Sequence, residues 1–201
     1  MPCLRKSGRE IGPQKQTQKH TMKYNEKDYL RVTEILNPFS GYALIDPEIL
    51  RKASERGIKI HEHLDCLLKE IGLWGIDKAH QGYIDSAKFF LDEITHVYET
   101  EKRFYDDELM VTGQCDVICE YEGKRTLVDW KTSANVNKVW TAQGSAYTNL
   151  ARNSGYEVEK VVFVKLSKDG KKPKIVEIQE DYQEFLTLYK VYTKYFKGKA
   201  K

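Results

Sequence analysis

The chain has 201 residues, a length typical of one domain with its own hydrophobic core. Hydrophobic residues make up 40% of it and charged residues 31%, which is the mix of a globular protein, and no apolar run reaches the roughly 18 residues of a membrane-spanning helix. The four cysteines are too few for a disulfide scaffold in a chain of this length. The net charge of +3 permits a nucleic-acid partner without requiring one.

Residues 1–22 form a polar, basic leader. They contain five Lys and Arg residues against one acidic residue, Glu10, and show no apolar period. We therefore expect this leader to be disordered, or to be an extension upstream of a start at Met22. It shows neither a signal peptide nor the amphipathic face of an organellar address, so we expect the cytoplasm rather than the mitochondrion. Residues 23–201 contain no repeats and are predicted to form one domain.

Beyond the leader, the residue pattern changes between helical and strand periods. Asp46 and Pro47 suit the N-cap and the first position of a helix, and Glu122-Gly123 and Asp169-Gly170 suit turns. In chain order we expect helices at 46–71 and 81–96, strands at 98–105, 110–121 and 125–131, a helix at 139–153, strands at 160–166 and 174–178, and a helix at 182–196. This order predicts an α+β fold, in which helices flank a small mixed β-sheet made of a three-strand meander plus a crossover strand.

Two aspartates are predicted to face one another across the hairpin that turns at residues 122–123. A two-residue turn sets Asp116 opposite Asp129, and strand alternation puts Lys131 on the same face as Asp129. Opposed acids repel one another, so this arrangement indicates a divalent cation held by hard carboxylate ligands. The alternative is a solvated hairpin face on which Asp129 and Lys131 merely offset each other.

The other face of this hairpin is expected to be packed. Its members are Cys115, Val117, Cys119, Val128 and Trp130. Because Cys115 and Cys119 fall on this apolar face and no cysteine follows Cys119, we expect no iron–sulfur cluster.

Four short motifs carry a family resemblance. Gly113…Asp116 followed by Asp129-Trp130-Lys131 resembles the core motif of the PD-(D/E)XK nuclease superfamily, with Cys115 where the founding pattern has Pro. Arg56-Gly57…His61 and Gln143…Tyr147 resemble two helix motifs of the RecB-like branch. The stretch DVICEYEGKRTLVDWKTS is most similar to mitochondrial genome maintenance exonucleases and their phage-encoded relatives.

The resemblance implies a restriction-endonuclease-like core and a metal-dependent DNA exonuclease. Its expected substrate is DNA with a free, single-stranded end, and its expected setting is DNA replication, recombination or repair, in the host cytoplasm if the chain is phage-encoded. Two alternatives remain open. One is a structure-specific endonuclease of the same superfamily, and the other is a catalytically silent DNA-binding module.

The resemblance also implies a set of metal ligands and catalytic residues. His61, Asp116, Asp129 and the backbone carbonyl of Trp130 are expected to hold Mg²⁺ or Mn²⁺, with weaker support from Glu101. Lys131 is expected to act in catalysis together with Asp116 and Asp129. His61 suits this role because its helical stripe faces inward, although a satisfied core histidine is the alternative.

Further residues are expected to contact DNA. From the motifs these are Arg56, Thr132, Ser133, Gln143 and Tyr147. Gln143 and Tyr147 share one helix face, where an amide and a phenol suit either a phosphate or a site carboxylate. The basic leader and aromatic residues such as Tyr105 and Trp140 are candidates for holding the backbone and bases, with a place in the core as their alternative.

Overall fold

The computed structural model describes residues 21–24, 27–72 and 75–197. Its helices and strands, in chain order, are β1 (Thr21–Tyr24), β2 (Lys27–Arg31), α1 (Val32–Leu36), α2 (Pro47–Leu68), α3 (Lys78–Leu91), β3 (Ile94–Asp106), β4 (Val111–Tyr121), β5 (Lys124–Lys131), α4 (Trp140–Asn153), β6 (Lys160–Lys165), β7 (Lys174–Glu177) and α5 (Tyr182–Tyr195). Two short 3₁₀ turns connect α1 to α2. None of the described helices is both long and apolar enough to cross a bilayer.

The described strands form one mixed sheet in the order β1-β2-β4-β5-β6-β7, with β3 paired to β4. The meander β3–β4–β5 is antiparallel, and β6, which α4 connects to β5, runs parallel to it. The predicted α+β fold, with its three-strand meander, crossover strand and flanking helices, is therefore confirmed. The sequence prediction missed β1, β2 and α1. It also assigned Thr21 and Met22 to the leader, whereas they lie in β1; the other leader residues lie outside the described part of the chain.

Helices pack on both faces of the sheet. One face is covered by apolar residues of α2 and α3, such as Leu64 and Phe90, which pack against Val128 and Trp130. The other is covered by α1, α4 and α5 in a second cluster that contains Phe163 of β6. This two-sided burial explains why β6 reads as a continuous apolar run.

One feature of β4 contradicts simple strand alternation. Cys115 packs in the cluster that contains α4, whereas Val117 and Cys119 pack with α2 and α3, so the prediction of a shared face is wrong for Cys115. The change of face occurs at Asp116. The residue across from it on β3 is Glu101, whose φ of 50° is in the left-handed region, so the meander is irregular on both strands at this point.

A glycine in α3 allows the loop after β6 to approach the helix closely. A Cβ at Gly82 would lie 1.8 Å from the carbonyl oxygen of Lys168, which is backbone and cannot rotate away. One helical turn further on, the Oγ of Ser86 accepts a hydrogen bond from the N–H of Ser167 at 2.9 Å. The loop is therefore attached to α3 by a backbone contact that only glycine permits.

We predict that Gly82→Ala lowers the free energy of unfolding by roughly 1–3 kcal/mol, because helix and loop must separate to admit the methyl group. Gly57→Ala in α2 is the matched control. Its Cβ would meet only the Oγ1 of Thr132, at an ordinary 3.7 Å, so the gain in helix propensity should leave stability unchanged or about 1 kcal/mol higher. Urea denaturation of both variants measures the difference, and equal stabilities would contradict the packing argument.

Candidate active site

The site lies where β4 and β5 separate. Tyr121 pairs with Lys124, as a two-residue turn requires, and the ladder continues to the pair Val117–Val128. Beyond that pair the Oδ2 of Asp116 accepts a hydrogen bond from the Trp130 N–H at 2.6 Å. A buried side-chain carboxylate thus occupies the place at which a strand carbonyl would otherwise continue the ladder.

A histidine from α2 completes the surroundings of Asp116. His61 Nδ1 lies 3.0 Å from Asp116 Oδ1, so His61 faces the sheet as its helical stripe predicted. Glu101 on β3 joins them, and one ligand atom from each of the three residues lies within 4.8 Å of the others. The structure therefore gives Glu101, the weakest of the predicted ligands, a place beside the two stronger ones.

The electrostatics of this cluster reflect crowded negative charge. Burial raises the pKa of Glu101, and the neighbouring Asp116 charge raises it further. Burial alone would lower the pKa of His61, but the charge and hydrogen bond of Asp116 outweigh it and raise that pKa to about 9. Carboxylate oxygens together with an imidazole nitrogen form a donor set that suits Mg²⁺ or Mn²⁺, and a cation would relieve the repulsion. The residues present fit such an ion.

Asp129 and Lys131 lie on the α4 side of the same opening. Asp129 is 4% exposed, and its burial, together with the charge of Asp116, raises its pKa even though Lys131 opposes the shift. Lys131 Nζ forms an ion pair with Asp129 Oδ2 at 2.6 Å. In this arrangement Asp129 is paired with the lysine, and its role as a metal ligand, like that of the Trp130 carbonyl, stays a prediction.

Gln143 connects the lysine, the aspartate and a tyrosine. Lys131 Nζ donates to its Oε1 at 3.2 Å, and its Nε2 donates to Asp129 Oδ1 at 3.4 Å and to the Tyr147 hydroxyl at 3.0 Å. Gln143 therefore contacts the site carboxylate, Tyr147 is linked to it through Gln143, and contact of either residue with DNA stays a prediction. Tyr147 is only 4% exposed, which leaves it little surface for DNA.

The remaining predicted contacts lie around Lys131 or in the core. Arg56 Nη2 donates to the Thr132 carbonyl at 3.3 Å, which links α2 to the segment after β5. The Ser133 hydroxyl donates to the Asn135 carbonyl at 2.9 Å within that segment. Trp140 is buried against Phe163, so its role is in the core rather than at a DNA surface.

Tyr105 belongs to an aromatic group at the C-terminal end of β3. Its ring stacks on that of Tyr24 with centroids 4.3 Å apart, and Tyr29 meets it edge-on at 5.0 Å. The group attaches the N-terminal hairpin to β3. Contact between Tyr105 and DNA stays a prediction.

Sequence reasoning missed two residues that border the cluster of His61, Glu101 and Asp116. A cavity of about 580 Å³ is lined by Gly57, Ile58, His61, Glu62, Asp65, Glu101, Gln114 and Asp116. Asp65 lies one helical turn after His61, a spacing that would have placed it on the same face. Gln114 donates a hydrogen bond to Glu101 and accepts one from Arg103. Both hydrogen bonds of Gln114 depend on the pairing of β3 with β4, so the sequence around Gln114 does not predict them.

Comparisons with known proteins point in the same direction as the motifs. Mitochondrial genome maintenance exonuclease 1 from Mus musculus is 35% identical over 80 residues, and the Homo sapiens protein is 32% identical over 81 residues. These segments cover 39% of this chain but 24% of each relative, so the chain spans about a quarter of the curated relatives that it matches. No protein-family model matches. The findings support an exonuclease-like, PD-(D/E)XK-type family.

A solved structure also shows similarity. A crystal structure from Eubacterium rectale, described as a candidate exonuclease, covers 69% of this chain and 65% of its own, with a TM-score of 0.47 and 12% sequence identity.

We predict that Mg²⁺ or Mn²⁺ stabilises the protein through this cluster. A cation at about one hundred times its dissociation constant should add about 2.7 kcal/mol to the free energy of unfolding. In a domain of this size, that raises the melting temperature by roughly 5–10 °C relative to the protein in EDTA. Asp116→Asn should lose most of the shift because it removes a ligand charge. Asp92→Asn, at an exposed aspartate that ends α3, should keep it. A full shift in Asp116→Asn would place the cation elsewhere.

Proposed function

We propose that this relative of the exonuclease-like family is a metal-dependent deoxyribonuclease that hydrolyses phosphodiester bonds. The observation that supports this most strongly is the convergence of His61, Glu101 and Asp116 beside the ion pair of buried Asp129 and half-buried Lys131. A solvated hairpin face, the alternative considered from the sequence, would leave these side chains exposed. Asp116 and Asp129 are instead 7% and 4% exposed.

His61, Glu101 and Asp116 are proposed to hold Mg²⁺ or Mn²⁺, with Asp129 as a further ligand. When bound, the ion polarises the scissile phosphate and lowers the pKa of a water molecule. The chain's own residues do the rest. The Trp130 N–H fixes the orientation of Asp116, and Gln143 holds both Lys131 and Asp129 on the opposite side of the opening.

Lys131 is proposed to orient the attacking water and to offset the charge that develops on the phosphate oxygens. Its Nζ is positioned by two interactions, the ion pair with Asp129 and the hydrogen bond to Gln143. A lysine held in this way loses little additional side-chain freedom in the transition state, which favours a catalytic role over that of a solvated lysine.

The proposed substrate is DNA with a free, single-stranded end, and the proposed process is DNA replication, recombination or repair. The name of the mitochondrial relatives supports exonuclease action. The proposed compartment is the cytoplasm. A structure-specific endonuclease is the second candidate, because the arrangement of ligands and lysine would serve either enzyme.

We predict that Lys131→Met lowers single-turnover cleavage by about 100-fold or more, because the water loses its orienting group and the phosphate its nearby charge. Binding to DNA with Ca²⁺ in place of Mg²⁺ should persist, since the ligands remain. Lys190→Met, at an exposed lysine of α5, is the control and should cleave at the wild-type rate. Cleavage by Lys131→Met within a few-fold of wild type would remove this lysine from the mechanism, and lost affinity at an unchanged rate would make it a phosphate anchor.

We predict that a linear single-stranded DNA is degraded with Mg²⁺ or Mn²⁺, while a circular single strand of the same sequence stays intact. The enzyme requires an end in the exonuclease proposal and does not in the endonuclease alternative. End-labelled products resolved on a denaturing gel distinguish the two. Cleavage of the circle at a comparable rate would favour the endonuclease, and cleavage of either substrate in excess EDTA would contradict the metal requirement.

A further inference from the structure

The segment that connects β6 to β7 carries an unusual density of positive charge. Between residues 165 and 174 the chain has five lysines and a single acidic residue, Asp169. Three of the lysines, Lys168, Lys171 and Lys174, are exposed. We refer to these three as the lysine turn. The fourth exposed lysine, Lys172, faces Glu93 at 3.4 Å and is therefore partly neutralised.

This segment leaves the sheet beside the proposed catalytic lysine. Strands β5 and β6 are parallel, and Lys165 pairs in register with Lys131, so both strands end at the same edge of the sheet. Neighbouring strands are about 4.8 Å apart. The Nζ of Lys165 donates to the carbonyl of Ala134 at 2.9 Å, which ties the end of β6 to the segment that follows Lys131. Lys168 is three residues further on, within about 11 Å along the chain.

The backbone of the segment is fixed although its lysines are exposed. The carbonyl of Lys168 rests against Gly82 of α3, and the N–H of Ser167 donates to the Ser86 hydroxyl. Pro173 is buried between the exposed lysines. A loop that served only as a connection would not need a glycine-dependent backbone contact in a helix. The arrangement instead fixes the backbone from which several exposed lysine side chains extend.

A further positive group, Arg56, lies between the site and the lysine turn. The guanidinium of Arg56 lies over the ring of Tyr83 at 5.5 Å and donates to the Thr132 carbonyl. Tyr83 is the neighbour of Gly82, against which Lys168 rests. Arg56, at the edge of the site, and Lys168 of the lysine turn therefore contact adjacent residues of α3, Tyr83 and Gly82.

We propose that the lysine turn binds the phosphates of the DNA strand a few nucleotides away from the scissile bond. The inference rests on the proposed function and extends it by naming the surface along which the strand lies. Lysine ammonium groups attract phosphate as point charges and carry no base preference. The surface should therefore increase affinity for any sequence, in a manner that salt suppresses.

The test replaces Lys168, Lys171 and Lys174 together by glutamine. The matched control replaces Lys124, Lys190 and Lys194, which are exposed at the β4–β5 turn and on α5 and change the net charge equally. Affinity for a labelled single-stranded oligonucleotide of about 20 nucleotides is measured by fluorescence anisotropy over a salt series, with Ca²⁺ to prevent cleavage. A second oligonucleotide of about two nucleotides fills the site without reaching the turn.

For the long oligonucleotide, the slope of log affinity against log salt should become shallower by about 2, since each single-strand phosphate contact contributes about 0.7. Between 50 and 200 mM salt, the wild-type protein should then lose about 16-fold more affinity than the variant. The control should behave as wild type. The short oligonucleotide should bind, and with Mg²⁺ be cleaved, alike in all three proteins, and melting temperatures should agree because the replaced side chains are exposed.

Two results would overturn the inference while leaving the proposed function in place. One is an unchanged salt slope in the lysine-turn variant, and the other is an equal change in the control variant, which would indicate net charge alone. Wild-type protein that neither binds nor cleaves DNA would instead contradict the proposed function, and the inference with it.

Discussion

The candidate active site depends on partners that hold several carboxylates together out of water although these carboxylates repel one another. Asp116 and Asp129 are both buried, and Glu101 lies beside Asp116. Removing one charged group from water costs several kcal/mol unless partners compensate. The protein supplies these partners from different elements: His61 from α2, the Trp130 N–H from β5, and Lys131 paired with Asp129. A cation at this place would relieve the repulsion that remains among these carboxylates.

Packing on both faces of the sheet makes these partners available. If β4 continued backwards the alternation of Val117 and Ile118, Asp116 would face α4 together with Ile118. The change of face at Asp116 lets its carboxylate meet His61 on α2, while Asp129 meets Gln143 on α4. The opening between β4 and β5 thus gives helices on both faces access to one site. The left-handed φ of Glu101 belongs to the same irregularity and brings a third carboxylate into the cluster.

The parts of this arrangement that were predictable from the sequence are those with local signals. The hairpin register follows from Glu122-Gly123, the inward face of His61 from the spacing of Leu64, and the strand β6 from its apolar run. The hairpin β1–β2 had no such signal, because its strands are short and β2 is held by pairing with β4, which is distant in sequence. The change of face at Asp116 and the contacts of Gln143 depend on how strands and helices meet. Alternation alone therefore gave the wrong face for Cys115.

The connection between packing and chemistry is clearest at Gly113. A Cβ there would lie 2.8 Å from the ring of Tyr147, so the close fit of α4 against β4 requires a glycine. The hydroxyl of Tyr147 accepts a hydrogen bond from Gln143, whose other bonds reach Lys131 and Asp129. Any side chain at Gly113 would displace the tyrosine and, through Gln143, the two groups proposed to act on the phosphate. Gly113 contacts none of the groups proposed to react, yet through Tyr147 and Gln143 it helps to set the position of Lys131.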